Sequence, residues 1–292
     1  MANILITGAT RGLGLQTARA VGARGGRVLC AGRDERRVHA VAELIAAEPI
    51  VLDLGRLDDV RRVVRELPHV HAVACNAGLQ ILREPTVTPD GFEETFQVNH
   101  LAHVALVDAL LARPVPPRRV VFVGSATHDP AIRTGTPDPS DDTPAALARA
   151  TNDAESPRTA GLRRYTTSKL LAIATTMALA RQRPDVRFAC FDPGLMPGTG
   201  LARQYPAPIR LLWATALRGL RVLPFASSAT TSGRAFASLL CDEPPPAASG
   251  AYVDYRLRQI APSRRAVDTT YQDAVLRESR ELLGASGKPD CW

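Results

Sequence analysis

The chain has 292 residues, 45% of them hydrophobic and 22% charged, with a formal net charge of +7. That apolar fraction excludes a disordered chain, and the length suffices for one large α/β domain with a sizeable core. The charge invites a nucleic-acid partner, but 34 of the 36 basic residues are arginine and no nucleic-acid motif or clustered basic–aromatic face accompanies them.

The five cysteines, Cys30, Cys75, Cys190, Cys241 and Cys291, are scattered and form no C-x-x-C pair. They are expected to be free thiols, with neither a disulfide framework nor a metal site. No run approaches the roughly 18 apolar residues of a membrane span. The chain opens on an apolar strand without a basic leader, so the expected location is cytoplasmic.

Short apolar runs alternate with amphipathic stretches along the first two thirds. Strands are expected at Ile4–Thr7, Arg27–Ala31, Pro49–Leu52, Val70–Cys75, Arg119–Gly124 and Val186–Asp192, with helices near 12–24, 35–46, 56–67, 90–112 and 162–182. Val120 to Val123 show no polar alternation, as befits a parallel strand covered on both faces. Repeated β-α units predict a Rossmann-type, doubly wound parallel sheet in a single α/β domain spanning 1–292.

The first strand runs into Thr7-Gly8-Ala9-Thr10-Arg11-Gly12-Leu13-Gly14, which opens a helix. Gly8 permits the tight turn, Gly12 lets the backbone approach a pyrophosphate, and Gly14 lets helix and strand pack closely. The helix N-terminus adds N–H donors and the positive end of its dipole. Strand, glycine turn and helix at the head of a βαβ series point to dinucleotide binding. An acid ending the second strand would bind the free 2′-hydroxyl of NAD, yet that position is Gly32, followed by Arg33. Arg11 and Arg33 together would suit a 2′-phosphate, which favours NADP(H).

Three segments depart from the rhythm. Residues 126–164 are polar and too long for an ordinary loop, an insertion before Tyr165. Residues 196–225 interleave prolines with Leu211, Leu212, Trp213, Leu217 and Leu220 and read either as a lid over a hydrophobic substrate or as ordinary helix packing. Arg210, Arg218 and Arg221 flank them, but a membrane-surface role is not favoured. Pro244-Pro245-Pro246 precedes a last strand, Ala251–Asp254, and the charged tail 256–292 is expected to form a helix near 269–283.

Tyr165-Thr166-Thr167-Ser168-Lys169 begins the helix before the sixth strand. Residues four apart share a helical face, so phenol and ammonium lie side by side. A nearby cation stabilises phenolate and makes the tyrosine usable as a general acid/base. His128, just past Ser125, could line a substrate pocket, whereas His100 and His103 show no metal-binding geometry.

With these motifs in order, residues 3 to 255 resemble the short-chain dehydrogenase/reductase family, nearest to its retinol dehydrogenase, protochlorophyllide reductase and carbonyl reductase branch. The resemblance implies a catalytic set of Asn99, Ser125, Tyr165 and Lys169. Ser125 would orient the substrate oxygen, and Asn99 would help hold a water that relays protons through Lys169. Asn76, Ala77 and Gly78 would support the sheet and the adenosine ribose, with Asp53 and Leu54 beside the adenine. Pro193, Gly194 and Leu195 would meet the carboxamide, and Thr199 the amide or a phosphate.

The implied reaction is hydride transfer between NADP(H) and a carbonyl or alcohol of a small molecule, and the lid reading of 196–225 suggests a hydrophobic or polycyclic one. The alternatives are a C=C reductase and an NADP-binding sensor without turnover. Family members pair through the helices bearing Asn99 and Tyr165, and an insertion before the tyrosine obstructs that face, so a monomer or homodimer is expected.

Overall fold

The computed structural model describes residues 1–149, 155–196 and 226–285. The expected lid and Thr199 therefore lie outside the described residues, apart from Met196. Seven strands form one sheet: β1 (Asn3–Thr7), β2 (Arg27–Gly32), β3 (Glu48–Val51), β4 (Ala72–Cys75), β5 (Arg119–Val123), β6 (Arg187–Asp192) and β7 (Ala251–Asp254). Their order is β3-β2-β1-β4-β5-β6-β7, and every neighbouring pair is parallel. This is the Rossmann-type α/β architecture expected from the alternating pattern. The order reverses between β1 and β4, and in open sheets the crevice at that switch point receives ligands.

Helices cover both faces. α1 (Gly12–Gly22) and α2 (Glu35–Leu44) lie on one side with a helix introduced below. α3 (Leu57–Glu66), α5 (Ala102–Leu111) and α7 (Pro157–Gln182) lie on the other. Short α4 (Glu94–Phe96) leads through a π-turn, Gln97–Leu101, into α5, and α6 (Pro144–Leu147) lies within the insertion. Central strands are buried on both faces, which is why Val73, Val120, Phe188 and Phe191 show no polar alternation.

Several elements differ from the sequence expectation. The helix foreseen over 90–112 starts at Glu94, where Glu93 caps it by accepting from the Phe96 N–H at 2.6 Å. The π-turn then shifts the register of the side chains around Asn99. α7 begins at Pro157 rather than 162, because Ser156 accepts from Thr159 N–H and proline fills the first helical position. The end of the insertion is thus the first turn of the helix bearing Tyr165.

A helix that the sequence did not signal, α8 (Ala229–Cys241), packs along α1. It follows the proline-interleaved 196–225 stretch, and Gly233 in its middle reads as a breaker. In the fold, Gly233 lets the two backbones meet: a Cβ there would lie 2.7 Å from Gln16 carbon atoms and 2.9 Å from Thr17 N. The helix expected near 269–283 is also present. After α9 (Arg264–Val267), α10 (Thr269–Ala285) buries Tyr271, Val275, Leu276 and Leu283 against α5 and α7. Each such side chain contributes roughly 1.5–3 kcal/mol. Its charges pair with the same helices, Arg280 with Asp108 at 2.8 Å and Arg181 with Asp273. No helix among the described residues is long and apolar enough to cross a membrane.

Candidate active site

The first-strand turn and the end of β4 are built as one unit. Gly8 takes φ +66° and Gly12 φ +55°, left-handed conformations that favour glycine. A Cβ on Gly14 would overlap the Gly8 carbonyl oxygen and sit 2.6 Å from Asn76 Nδ2, so helix and turn touch through bare backbone. A Cβ on Gly12 would point into open space, the room a phosphate needs. Arg11 is the exposed N-cap of α1, and Leu13 is buried in the core beneath it.

Asn76 ties the strands together. Its Nδ2 donates to the Thr7 carbonyl at 2.7 Å and the Gly8 carbonyl at 3.3 Å. The main-chain N–H groups of Asn76 and Ala77 both donate to Thr7 Oγ1 at 2.9 Å, and His103 Nε2 lies 3.0 Å from the same oxygen. The Asn76-Ala77-Gly78 segment is thereby fixed onto the glycine turn.

Around the rim, Thr10 packs beside Gly32, whose Cβ would come within 3.2 Å of Thr10 Cγ2. Arg33 has a side chain 66% exposed, and its guanidinium lies 3.8 Å from Glu94 Oε1. Asp53 Oδ1 accepts from Gly55 N–H at 2.9 Å, so this carboxylate also holds its own turn. Leu54 packs into the core and its carbonyl accepts from Gln97 Nε2, so only its backbone could face an adenine.

At the carboxyl ends of β4, β5 and β6 the structure brings three of the expected residues close to one another. Lys169 Nζ lies 5.3 Å from the Tyr165 ring centroid and donates to the Val123 carbonyl at 3.0 Å. Gly78 lies against both Asn99 and Lys169: a Cβ there would be 3.4 Å from Asn99 Oδ1 and 3.9 Å from Lys169 Nζ. Asn99 is a fully used amide. Its Oδ1 accepts from Leu79 N–H at 2.8 Å, while Nδ2 donates to the Leu79 carbonyl at 2.9 Å and Ser168 Oγ at 3.0 Å.

Ser125 follows β5, at the next position along the same edge. Its Oγ accepts from Thr127 N–H at 3.3 Å and Oγ1 at 3.1 Å. His128 does not line an opening; it is buried at 1% exposure. Its Nδ1 bonds the Ser125 carbonyl at 2.7 Å and its Nε2 accepts from Ser263 N–H at 3.0 Å. His128 is thus a strut between Ser125 and the C-terminal segment. Pro193 and Gly194 follow β6, with Gly194 at φ +70°, and Leu195 pairs with Ala226.

Burial sets the electrostatics. Lys169 is only 6% exposed, and desolvation pushes its pKa down to about 8, opposed by Cys190 and then by Asp192. Burial likewise drives His100 down to about 3 and His103 to about 4, so both rings are neutral near pH 7. The thiols of Cys75 and Cys190 are buried and raised, the latter to about 12, and Cys30, Cys75, Cys190 and Cys241 are all free. No cluster of potential metal ligands occurs among the described residues.

The glycine cradle, the open space over Gly12 and the buried ammonium fit a dinucleotide lying from the α1 N-terminus toward Lys169. Sequence reasoning passed over Asp192 and Tyr252, which lie at the same edge. The Asp-Pro-Gly string was the available signal for the first, as aspartate often closes such a turn on its own backbone.

A family model described as short chain dehydrogenase matches residues 2–133. Over 239 residues the chain is 33% identical to protochlorophyllide reductase B, chloroplastic, of Hordeum vulgare, a span of 72% of this chain and 60% of that protein. A Streptomyces sp. strain C5 protein named as a daunorubicin C-13 ketoreductase is 34% identical over 201 residues, covering 65% of this chain and 64% of the other. The chain therefore spans less than two thirds of the length of these relatives. The crystal structure of an uncharacterized protein from Mycobacterium paratuberculosis superposes with a TM-score of 0.72 at 27% identity, over 97% of this chain and 93% of that one.

Proposed function

Because the chain belongs to the short-chain dehydrogenase/reductase family, we propose that it is an NADP(H)-dependent oxidoreductase acting on a carbonyl or alcohol of a hydrophobic, ring-rich small molecule. The observation that carries this reading is the buried Lys169 ammonium 5.3 Å from the Tyr165 ring, beside the glycine cradle. Protochlorophyllide and daunorubicin, the compounds in the relatives' names, are large ring systems and support the substrate class.

When bound, the cofactor supplies the hydride donor or acceptor at its nicotinamide ring. Gly8, Thr10, Arg11, Gly12, Leu13 and Gly14 would hold its pyrophosphate, with Asn76, Ala77 and Gly78 alongside and Asp53 and Leu54 at the adenine end. Pro193, Gly194 and Leu195 would meet the carboxamide, and Thr199 is proposed beside them. Tyr165 gives or takes the substrate hydroxyl proton, and the Lys169 charge lowers the cost of phenolate. The Lys169 protons not used by Val123 would be available to hold the nicotinamide ribose. Ser125, held at its carbonyl by His128, orients the substrate oxygen. Asn99, which faces Lys169 across Gly78, would help hold a water that relays protons through Lys169. The insertion over 126–164 and α10 lying against α5 and α7 favour a monomer or homodimer.

Pure protein incubated with NADPH and panels of ketones, enals and enones tests the reading through loss of NADPH absorbance. Turnover of ketones supports it. Turnover confined to enones would instead make the chain a C=C reductase, and no turnover with retained NADPH binding would make it a sensor.

Cofactor choice rests on Arg33 and Arg11. Both guanidiniums can meet a 2′-phosphate, and the Glu94 carboxylate at 3.8 Å is too distant from Arg33 to hold it tightly. The parent protein is expected to bind NADPH more tightly than NADH. Arg33→Asp should weaken NADPH by ~10–100-fold, the worth of a charged hydrogen bond, and narrow or reverse the preference. Calorimetric titration with both nucleotides checks this, and tighter NADH binding by the parent would overturn it.

A further inference from the structure

Behind the Tyr165–Lys169 pair lies a buried acid that the reaction scheme above does not use. Asp192 ends β6 and is 7% exposed. Its Oδ1 accepts from Gly194 N–H at 2.8 Å, closing the turn through Pro193, and its Oδ2 accepts from Tyr252 Oη at 2.9 Å. Two donors aimed at two oxygens suit a carboxylate. Tyr252 stands on β7, in register beside Cys190, with its ring edge-on to His128 at 5.1 Å between centroids. Asp192 is one residue beyond Phe191, which pairs with Val123, the residue whose carbonyl holds Lys169 Nζ. The acid therefore follows, by one residue on β6, the strand partner of the residue whose carbonyl holds the Lys169 ammonium.

We propose that Asp192 is a positioning residue with two linked duties: it shapes the Pro193-Gly194-Leu195 turn, and its buried negative charge keeps Lys169 protonated at the working pH. The proposal rests on the reading of Lys169 as the partner of Tyr165. Without a countercharge, an ammonium taken out of water gives up its proton readily.

The groups facing Lys169 single out Asp192. From α7 comes Tyr165, whose ring lies 5.3 Å away, and from α5 comes His103, neutral because burial brings it to about 4. From β6 come Cys190 and Asp192, from beyond the carboxyl end of β4 the uncharged Gly78, and from the π-turn the uncharged Asn99. Cys190 is a thiol rather than a thiolate near pH 7, since burial raises it to about 12. On β7, burial and then the Asp192 charge hold the Tyr252 phenol well above its ordinary range, so it stays a donor. Cys190 and then Asp192 oppose the desolvation of Lys169, and since the Cys190 thiol is neutral near pH 7, the standing negative charge among these groups is that of Asp192.

Asp192→Asn is the discriminating variant. An asparagine Oδ1 can still accept from Gly194 and its Nδ2 can donate to the Tyr252 oxygen, so the turn persists while the charge disappears. The chain contains two lysines, Lys169 and Lys288, so selective carbon-13 labelling of lysine side chains yields two NMR titration curves, assigned with Lys288→Arg. The measurement is made without cofactor, so it does not depend on activity.

The Lys169 midpoint, about 8 in the parent, should fall by ~1 pH unit or more in Asp192→Asn. The Lys288 curve should stay in place. The sign follows from the charge: an anion favours the ammonium, so removing it moves deprotonation to lower pH. Tyr252→Phe, which keeps the carboxylate, should leave the Lys169 midpoint near the parent value. A midpoint unchanged in Asp192→Asn would overturn the proposal. Failure of both Asp192→Asn and Asp192→Ser to fold would also overturn it, because Asp192 would then be a structural residue. If the midpoint moves as expected and Tyr165→Phe nevertheless retains full turnover, the fault lies with the catalytic reading, not with the electrostatic one.

Discussion

Tyr165→Phe is expected to lower turnover by ~10²–10⁴-fold, the usual worth of a positioned general acid/base, while NADPH affinity stays within a few-fold of the parent. Phenylalanine keeps the ring whose centroid lies 5.3 Å from Lys169 Nζ and loses only the hydroxyl. The helix should be undisturbed, because the hydrogen bond from Ser168 Oγ at 2.7 Å uses the Tyr165 main-chain carbonyl. Steady-state rates on a ketone and a fluorescence titration with NADPH separate the two effects. Undiminished turnover would remove Tyr165 from the mechanism.

Gly161→Ala is the second large effect, and it acts through packing. Gly161 lies one turn before Tyr165 on α7, against the main chain of the segment after β4. A Cβ there would overlap the Ile81 carbonyl oxygen and come within 2.9 Å of Ile81 C. Both offending atoms are backbone, so neither can rotate away, and α7 must move off the 81–82 segment. Overpacking of this kind costs about 3 kcal/mol, at the upper end of its usual range, or ~6–12 °C in Tm for a chain of this size. The same shift displaces Leu79, which holds the Asn99 amide, so kcat should fall as well. Gly22→Ala is the internal control: it ends α1 with no atom within 4 Å of the added Cβ, and a Tm equal to or slightly above the parent is expected. Thermal melts of both variants decide the matter, and an unchanged Tm for Gly161→Ala would refute the close approach.

Much of the fold was legible because its signals are local. Apolar runs without alternation identified the parallel strands, and the Thr7–Gly14 string identified the turn that opens α1. Where the expectation missed, the deciding contacts were remote. α8 carries a glycine that reads as a breaker, and its placement depends on Gly233 meeting the Gln16–Thr17 backbone. The helix expected near 269–283 is present as α10, but that it buries Val275 and Leu276 against α5 and α7 depends on contacts remote in the sequence. His128 sits three residues past Ser125, yet its partner Ser263 is 135 residues away, and no pattern near His128 announces it.

The site divides in the same way. The sequence alone determined that a phenol and an ammonium share a helical face, because four-residue spacing is a property of the helix itself. It also determined that this ammonium is a lysine in a chain that otherwise writes arginine almost everywhere, and a compact point charge fits a buried site where a guanidinium would not. Only the tertiary structure decided what surrounds that charge. Strand order places β4, β5, β6 and β7 side by side, so that Gly78, Val123, Asp192 and Tyr252 converge from distant parts of the chain. Desolvation and countercharge depend on that convergence, and both act across space, not along the sequence.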